Sequence, residues 1–244
     1  MKRFRFHDRI GLPVFAAMFA ASLSASVYGA DAPDLRGVYW TTEYRAKIQL
    51  VGGGELPLTP KGKAAYEKNM TGLKNGSIMD EARMVCTPDG PVRNLATPYP
   101  FEILQAAPGQ VIITHELNHQ IRAIALDTPV PNHEELMILP YYSGYSFGRY
   151  EGDTLVVETL GFKEQTFLDA TGAPHTDELK TTERIRKISP NQLEIVVTVH
   201  DPEYYTRDWQ TRFVYTLRND IEVEDYICGE PHRDISSVPG VRRP

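Results

Sequence analysis

A histidine, two carboxylates and an arginine in this 244-residue chain have the side chains that general acid–base chemistry needs. His175 follows the turn-forming residues 172–174, and Asp177 stands two residues further along. A histidine beside a carboxylate is held in one tautomer and titrates near neutral pH, so it can give and take a proton. Glu183 and Arg122 fall in strand-like segments, where an inward-facing pair would orient a substrate oxygen or carboxylate. We predict these four residues as the catalytic group; the alternative is a surface turn plus an ion pair that fixes strand register.

Aromatic residues are concentrated near this group and indicate a pocket for a small, partly apolar organic molecule. Tyrosine and tryptophan offer an apolar face with a polar tip, which suits such a ligand. The sequence has no glycine-rich phosphate loop and no dinucleotide fingerprint, so we predict no cofactor. Ordinary core packing is the alternative explanation for the aromatic residues. The residues predicted to bind the substrate are Tyr145, Phe147, Trp209, Glu116 and His119.

The segment His115–His119 reads HELNH and matches the zinc-protease motif HExxH. That motif requires a helix, because positions i and i+4 must share one face to bind the metal. Here a β-branched run precedes the segment and the alternating residues 120–126 follow it, so we predict a hairpin tip and no metal site. A carboxylate pair for glycoside cleavage is a further alternative, but it depends on a separation that sequence spacing does not report. Its candidates are Glu116 with Asp127, Asp169 or Glu183.

Residues 1–30 have the composition of a secretory signal. Four basic residues and a mostly apolar run at 10–23 are followed by small residues. The segment contains four of the 26 basic residues and one of the 32 acidic residues, so its removal changes the net charge from −6 to −9. We predict a periplasmic or secreted protein with no membrane span after signal removal. A surface this acidic disfavours nucleic acid as a partner, and the oligomeric state stays open.

The sequence contains two cysteines, Cys86 and Cys228. Two cysteines far apart in an exported chain usually pair, so we predict a disulfide between them. By the chain-entropy estimate such a bond would stabilise the fold by about 4–5 kcal/mol.

Strand-like segments dominate the chain after one predicted helix. Thr59-Pro60 has the hydroxyl and the proline of a helix start, and the helix is expected from Lys61 to about Leu73. We predict an all-β domain over residues 31–235, an antiparallel meander of about ten strands closed into a lipocalin-like barrel, with a flexible tail at 236–244. A β-sandwich is the alternative. The predicted strands include a hairpin at Tyr145–Thr159 and three short strands at Lys47–Val51, Leu136–Leu139 and Ile221–Ile227.

Several strings in the chain resemble those of a widespread family of exported bacterial proteins, usually described only as hypothetical. The resemblance covers most of the chain after residue 30, and it implies export but no activity, because none is established for the family. Relatives tend to have an aromatic residue in place of His115, so a role for that imidazole would be particular to this protein. The strings are GRYEGDTLVVETLGF at 148–162, LDATGAPHTDEL at 168–179 with ERIRK at 183–187, DPEYYTRDW at 201–209 and CTPDGPVR at 86–93.

Three functions follow from these observations. The first is a cofactor-free enzyme of the lyase, isomerase or hydrolase type, which requires His175, Asp177 and Arg122 to converge at a pocket. The second is a non-catalytic carrier or sensor with the same barrel pocket, which requires a deep apolar cavity with charges at its rim. The third is an interaction protein of the cell envelope, which requires an exposed apolar patch.

Overall fold

The computed structural model describes residues 32–41 and 43–226. The predicted signal segment, the predicted tail and Cys228 lie outside the described residues. Cys86 is not a free thiol, and its bond to Cys228 stays a prediction. The strands are β1 (Gly37–Trp40), β2 (Phe101–Ala107), β3 (Gln110–His115), β4 (Gln120–Leu126), β5 (Tyr145–Glu151), β6 (Thr154–Leu160), β7 (Lys180–Ser189), β8 (Gln192–His200) and β9 (Trp209–Arg218). The helices are α1 (Pro60–Asn75), α2 (Glu81–Met84), α3 (Pro91–Leu95) and α4 (His133–Met137), with a 3-10 turn at Leu117–His119.

The nine strands close into a barrel in sequence order, and β9 pairs back with β1. This confirms the predicted all-β barrel, with nine strands rather than about ten. The pair β4–β5 is parallel and short, because it joins only Ile124–Leu126 to Ser146–Gly148. The predicted wholly antiparallel meander is therefore wrong at this one place. The reason is that residues 127–144 carry the chain back to the end of the barrel where β4 began.

Three predicted short strands are not strands. The segment Lys47–Val51 contributes a single bridge from Leu50 to Thr211. The run Leu136–Leu139 overlaps α4, because the side chain of Asn132 caps a helix start there. Residues 221–226 are irregular, and Ile227 lies outside the described part of the chain.

The predicted helix is confirmed as α1. Its first turn is capped by Thr59, whose hydroxyl accepts the N–H of Gly62 at 3.0 Å. Gly76 ends the helix with a φ of 76°. A Cβ on Gly62 would lie 2.2 Å from the carbonyl oxygen of Tyr204, so only glycine permits this close approach of α1 to the β8–β9 connection.

Apolar side chains fill most of the barrel interior. The predicted alternation along β8 is confirmed, because its inward residues are all 0% exposed. They are Leu193, Ile195, Val197 and Val199. Aromatic residues of β1, β2 and β9 join the same core. Because these side chains fill the interior, a ligand would have to bind in the wall or at an end of the barrel.

The two ends of the barrel differ. Two-residue turns at 108–109, 152–153 and 190–191 join strands at one end. The segments 41–100, 161–179 and 201–208 cross the other, which we call the loop end. Within the described ranges, no helix has both the length and the apolar content needed to cross a bilayer.

Candidate ligand-binding site

Arg122 and Glu183 face the barrel interior near the loop end and form an ion pair. Arg122 is 7% exposed and Glu183 is 1% exposed. The Arg122 Nη1 and Nη2 atoms donate to Glu183 Oε2 at 2.9 Å and Oε1 at 2.6 Å. Two strands separate β4 from β7 in the sheet, so the pair reaches across the interior. The inward pairing expected from the sequence is present, in the two-pronged geometry that makes arginine–carboxylate pairs strong.

Hydroxyls from the two intervening strands complete this cluster. Arg122 Nε donates to Ser146 Oγ at 2.8 Å, and Nη2 donates to Thr159 Oγ1 at 2.8 Å. The two hydroxyl oxygens are 3.0 Å apart. We call Arg122, Glu183, Ser146 and Thr159 the Arg122 cluster. Neither hydroxyl was among the predicted site residues, although Thr159 is in phase with the inward-facing Val157 of β6 and so carried a signal.

A groove opens on the outside of the barrel where β4 and β5 diverge beyond their short pairing. Its volume is about 430 Å³. Arg122 and Ser146 line it from the inner side, so the Arg122 cluster reaches the surface here. We call it the seam groove. The other lining residues that matter below are Ile121, Tyr141, Tyr145 and Phe147.

The outer walls of the seam groove are aromatic and apolar. The rings of Tyr141 and Tyr145 meet edge to face at 4.9 Å. The Tyr145 hydroxyl donates to the Leu139 carbonyl at 2.6 Å, which fixes the β4–β5 connection against the groove. Ile121 is 72% exposed at the rim. Of the sequence-predicted residues, Tyr145 and Phe147 thus lie together with Arg122 and, behind it, Glu183.

His175 lies away from this groove in the β6–β7 connection, where it is 4% exposed. Its Nδ1 donates to the Thr176 carbonyl at 2.8 Å, and its Nε2 accepts from the Thr166 hydroxyl at 2.6 Å. Burial lowers the pKa of His175, which favours the neutral ring in this arrangement. Within the described chain, no hydrogen bond joins His175 to Asp177. The turn is held by Asp201, whose Oδ2 accepts the N–H of Thr176 at 2.7 Å.

The remaining predicted residues also have other contacts. Trp209 is 2% exposed and belongs to the core. Glu116 Oε2 accepts the N–H of Glu224 at 3.1 Å, and His119 Nε2 accepts the N–H of Tyr226 at 3.0 Å. Glu116 and His119 therefore hold the C-terminal segment 221–226 rather than line the seam groove.

The carboxylates considered for glycoside cleavage have separate partners. Asp169 is 0% exposed, and its carboxylate accepts the backbone N–H groups of Ile48 at 3.0 Å and Ala173 at 3.1 Å. Glu183 is bound to Arg122. These contacts explain both carboxylates as parts of the fold.

The HELNH segment forms the predicted hairpin tip. Asn118 and His119 have positive φ angles of 56° and 47°, which are incompatible with the right-handed α-helix that the metal motif requires. His115 faces the barrel interior, whereas His119 binds the C-terminal segment. The two imidazoles therefore do not converge on a common metal position. In the part of the chain that the structure describes, no group of three or more His, Cys, Asp or Glu side chains could hold a metal ion.

His115 adds an imidazole to the interior beside the Arg122 cluster. It is 7% exposed, and its ring centre is 5.1 Å from that of Phe101. Burial, and secondly the positive charge of Arg122, lower the pKa of His115 from 6.5 to about 3. The ring is therefore neutral in the folded protein at physiological pH.

We expect His115 to make the fold sensitive to acid. Between pH 6.5 and about 3 the unfolded chain binds a proton here and the folded chain does not, so the free energy of unfolding decreases as the pH falls through this window. The loss from this residue is about 3 kcal/mol at pH 4. His115→Phe should remove that part of the pH dependence, measured by urea unfolding between pH 7 and pH 4. An equal decrease in both proteins would contradict the assignment.

Comparison of the chain with protein-family models, with curated proteins and with solved structures found no match. The resemblance carried by the strings at 86–93, 148–162, 168–179, 183–187 and 201–209 stays a prediction.

Proposed function

We propose that the protein binds a small, partly apolar molecule in the seam groove and acts as a non-catalytic carrier or sensor. The observation that carries this proposal is the combination of aromatic outer walls with a polar anchor, Arg122, on the inner side. A volume of about 430 Å³ falls in the range of small-molecule sites, roughly 300–1,000 Å³. The groove differs from the deep apolar cavity with a charged rim that we expected of a carrier, because its charged residue, Arg122, lies on the inner side and apolar side chains such as Ile121 lie at the rim.

The anchor favours a ligand with a neutral hydrogen-bond acceptor. A guanidinium has five N–H groups, and the bonds to Glu183, Ser146 and Thr159 use four of them. The fifth, on Nη1, has no partner among the described residues. Because the Glu183 carboxylate already balances the charge of Arg122, a carbonyl or ether oxygen suits this N–H better than a second anion does.

Proton transfer is less well supported by this geometry. The two ring nitrogens of His175 are both hydrogen-bonded, and His175 does not line the seam groove. Arg122 and Glu183 bind each other, so neither is poised to exchange a proton with a ligand. The cofactor-free enzyme stays a prediction of the sequence.

We further propose that the protein is exported and belongs to the family of exported bacterial proteins whose sequence strings it shares. The support is the signal-like composition of residues 1–30 and the shared strings. Cell fractionation with mass measurement of the intact chain tests the export: a protein recovered in the cytoplasm with residues 1–30 still attached contradicts it.

Acetophenone and ethylbenzene are suitable probes for the seam groove, because they differ in one acceptor oxygen. We expect acetophenone to bind about fivefold more tightly, since one hydrogen bond contributes about 1 kcal/mol. The measurement is a ¹H–¹⁵N NMR titration, in which shifts should cluster on Ile121, Tyr145 and Phe147.

Phe147→Ala removes a wall of the groove and should weaken acetophenone binding about tenfold, through lost apolar contact of about 1.4 kcal/mol. The matched control is Phe167→Ala: Phe167 is half-buried like Phe147 but lies outside the groove, so this variant should bind the probe like the parent protein. Unchanged affinity in Phe147→Ala, at an unchanged melting temperature, would exclude the groove as the site.

A further inference from the structure

A second pocket lies at the loop end of the barrel, apart from the seam groove. Its volume is about 510 Å³. The rings of Tyr44, Tyr99 and Tyr226 line it together with the apolar side chains of Met84 and Leu117. We call it the tyrosine pocket. The sequence gives no local signal for this pocket, because its walls come from five separate stretches of the chain.

The C-terminal segment forms one wall of this pocket. The ring of Tyr226 meets that of Tyr99 edge to face at 5.4 Å. The segment is held by the side chains of Glu116 and His119, which accept backbone N–H groups at 3.1 and 3.0 Å. Two residues that the sequence assigned to substrate binding thus position a wall of the tyrosine pocket.

The polar side chains of the pocket offer hydrogen-bond acceptors. Asp89 is 4% exposed, and its Oδ1 is 3.0 Å from Arg93 Nε. Asn118 Nδ2 donates to Asp89 Oδ2 at 3.4 Å and to the carbonyls of Ala82 and Thr87 at 3.2 and 3.3 Å. These three acceptors fix the orientation of the amide. A carboxylate can accept about four hydrogen bonds, so Asp89 retains acceptor capacity.

The side-chain oxygen of Asn118 lies next to Asp89 in the same part of the fold. It is buried and has no hydrogen-bond partner among the described residues. A buried polar atom without a partner is costly, and each one calls for an explanation such as a ligand. No hydrogen-bond donor among the described residues satisfies this atom, and the acceptor that remains for a ligand in the pocket is the Asp89 carboxylate.

Backbone strain is concentrated at the same place. Cys86, Asn118 and His119 have φ angles of 62°, 56° and 47°. They are three of the four non-glycine residues with positive φ in the described ranges, the fourth being Asp127. Such residues cost about 1–3 kcal/mol each and gather at functional sites. Of the three, Asn118 lines the tyrosine pocket.

The charges around the pocket balance one another, which favours a neutral ligand. The Arg83 guanidinium donates to the Tyr44 hydroxyl at 2.9 Å, and Arg93 lies against Asp89. Asp80 binds Arg93 through two hydrogen bonds of 2.9 and 2.6 Å, so the two arginines balance the two aspartates. A cation would be repelled by the arginines and an anion by Asp89. A neutral donor fits.

We propose that the tyrosine pocket binds a neutral phenolic ring, whose face packs on the three tyrosines and whose O–H donates to Asp89. Planar rings pack well against tyrosine faces and edges. Burial raises the pKa of the Asp89 carboxyl, which strengthens it as an acceptor. The site is separate from the seam groove and does not rest on its ligand.

Three probes test the chemistry of the ligand: p-cresol, its methyl ether 4-methylanisole, and 4-methylbenzylamine. In ¹H–¹⁵N NMR titrations of the protein, p-cresol should shift the signals of Asn118 and Tyr226 and bind at least tenfold more tightly than the ether. Equal or tighter binding of the ether overturns the proposal, because the O–H would then contribute nothing. Tightest binding of the amine overturns it as well, because the site would then be cationic.

Two variants test the place of binding. Tyr99→Leu should weaken p-cresol binding at least tenfold and leave acetophenone binding in the seam groove unchanged, whereas Phe147→Ala should give the reverse pattern. Asp89→Asn should reduce the preference for p-cresol over the ether. If Asp89→Asn does not fold, Tyr99→Leu decides, because it keeps the Asp89–Arg93 pair. Parental p-cresol affinity in folded Tyr99→Leu overturns the proposal.

Discussion

Arg122→Met is expected to lower the free energy of unfolding by about 3–5 kcal/mol, because it leaves a buried carboxylate without its partner. Glu183 is 1% exposed and takes two hydrogen bonds from the guanidinium. Ser146 and Thr159 lose a donor in the same step. Urea unfolding at pH 7, followed by circular dichroism, measures the effect.

The double variant Arg122→Met/Glu183→Met should recover most of this loss, since a buried ion pair and an apolar pair of similar volume often have similar stability. Arg149→Met is a matched control on β5. Arg149 is 49% exposed and pairs with Glu151 and Glu158 at the surface, so its loss should stay within about 1 kcal/mol. A loss in Arg122→Met no larger than in Arg149→Met would show that the Arg122 cluster contributes little to the fold.

Asp201→Ala is expected to cost about 3–4 kcal/mol, since each buried donor left without a partner costs about 1–3 kcal/mol. Asp201 is 1% exposed. Its carboxylate accepts the N–H and the hydroxyl of Thr176 at 2.7 and 3.2 Å. It also accepts the N–H groups of Glu203 and Tyr204 at 3.2 and 3.1 Å. The melting temperature and the urea midpoint should both fall.

Asp177→Ala is the control that separates two carboxylates near the same histidine. Asp177 was the predicted orienting partner of His175, but no hydrogen bond to it is found among the described residues. Its removal should change the free energy of unfolding by no more than about 0.5 kcal/mol. A larger loss of unfolding free energy in Asp177→Ala than in Asp201→Ala would support the predicted His175–Asp177 pair.

The barrel could be predicted because strands with one inward face carry a period of two. Residues 193–199 of β8 show that period without interruption, and the structure places its apolar members in the core. The parallel pair of β4 and β5 could not be predicted. It depends on the path of residues 127–144, whose short apolar run at 136–139 fits a strand or a helix equally well. The capping amide of Asn132 decides for the helix.

The candidate site was predictable in part for the same reason. The sequence placed Arg122 and Glu183 on strands and predicted that they would pair if both faced inward, but which strand faces line the interior could not be read from it. Proximity in sequence failed for His175, because the carboxylate that holds its turn is 25 residues from Thr176. Which loop reaches which turn is settled by tertiary packing, which a single sequence does not contain. The tyrosine pocket was missed on the same ground.

The pairing of the first strand with the last determines how this chain can fold. Val38 pairs with Arg218, so the ring is sealed by residues from opposite extremes of the domain. Contacts of such long range slow folding, because the entropy of the intervening chain must be lost before they form. During synthesis β1 therefore cannot complete its pairing until β9 has been translated. Until then the backbone hydrogen-bonding groups on one edge of β1 have no partner strand. We therefore expect aggregation and a need for chaperones to be greatest in nascent chains of this protein.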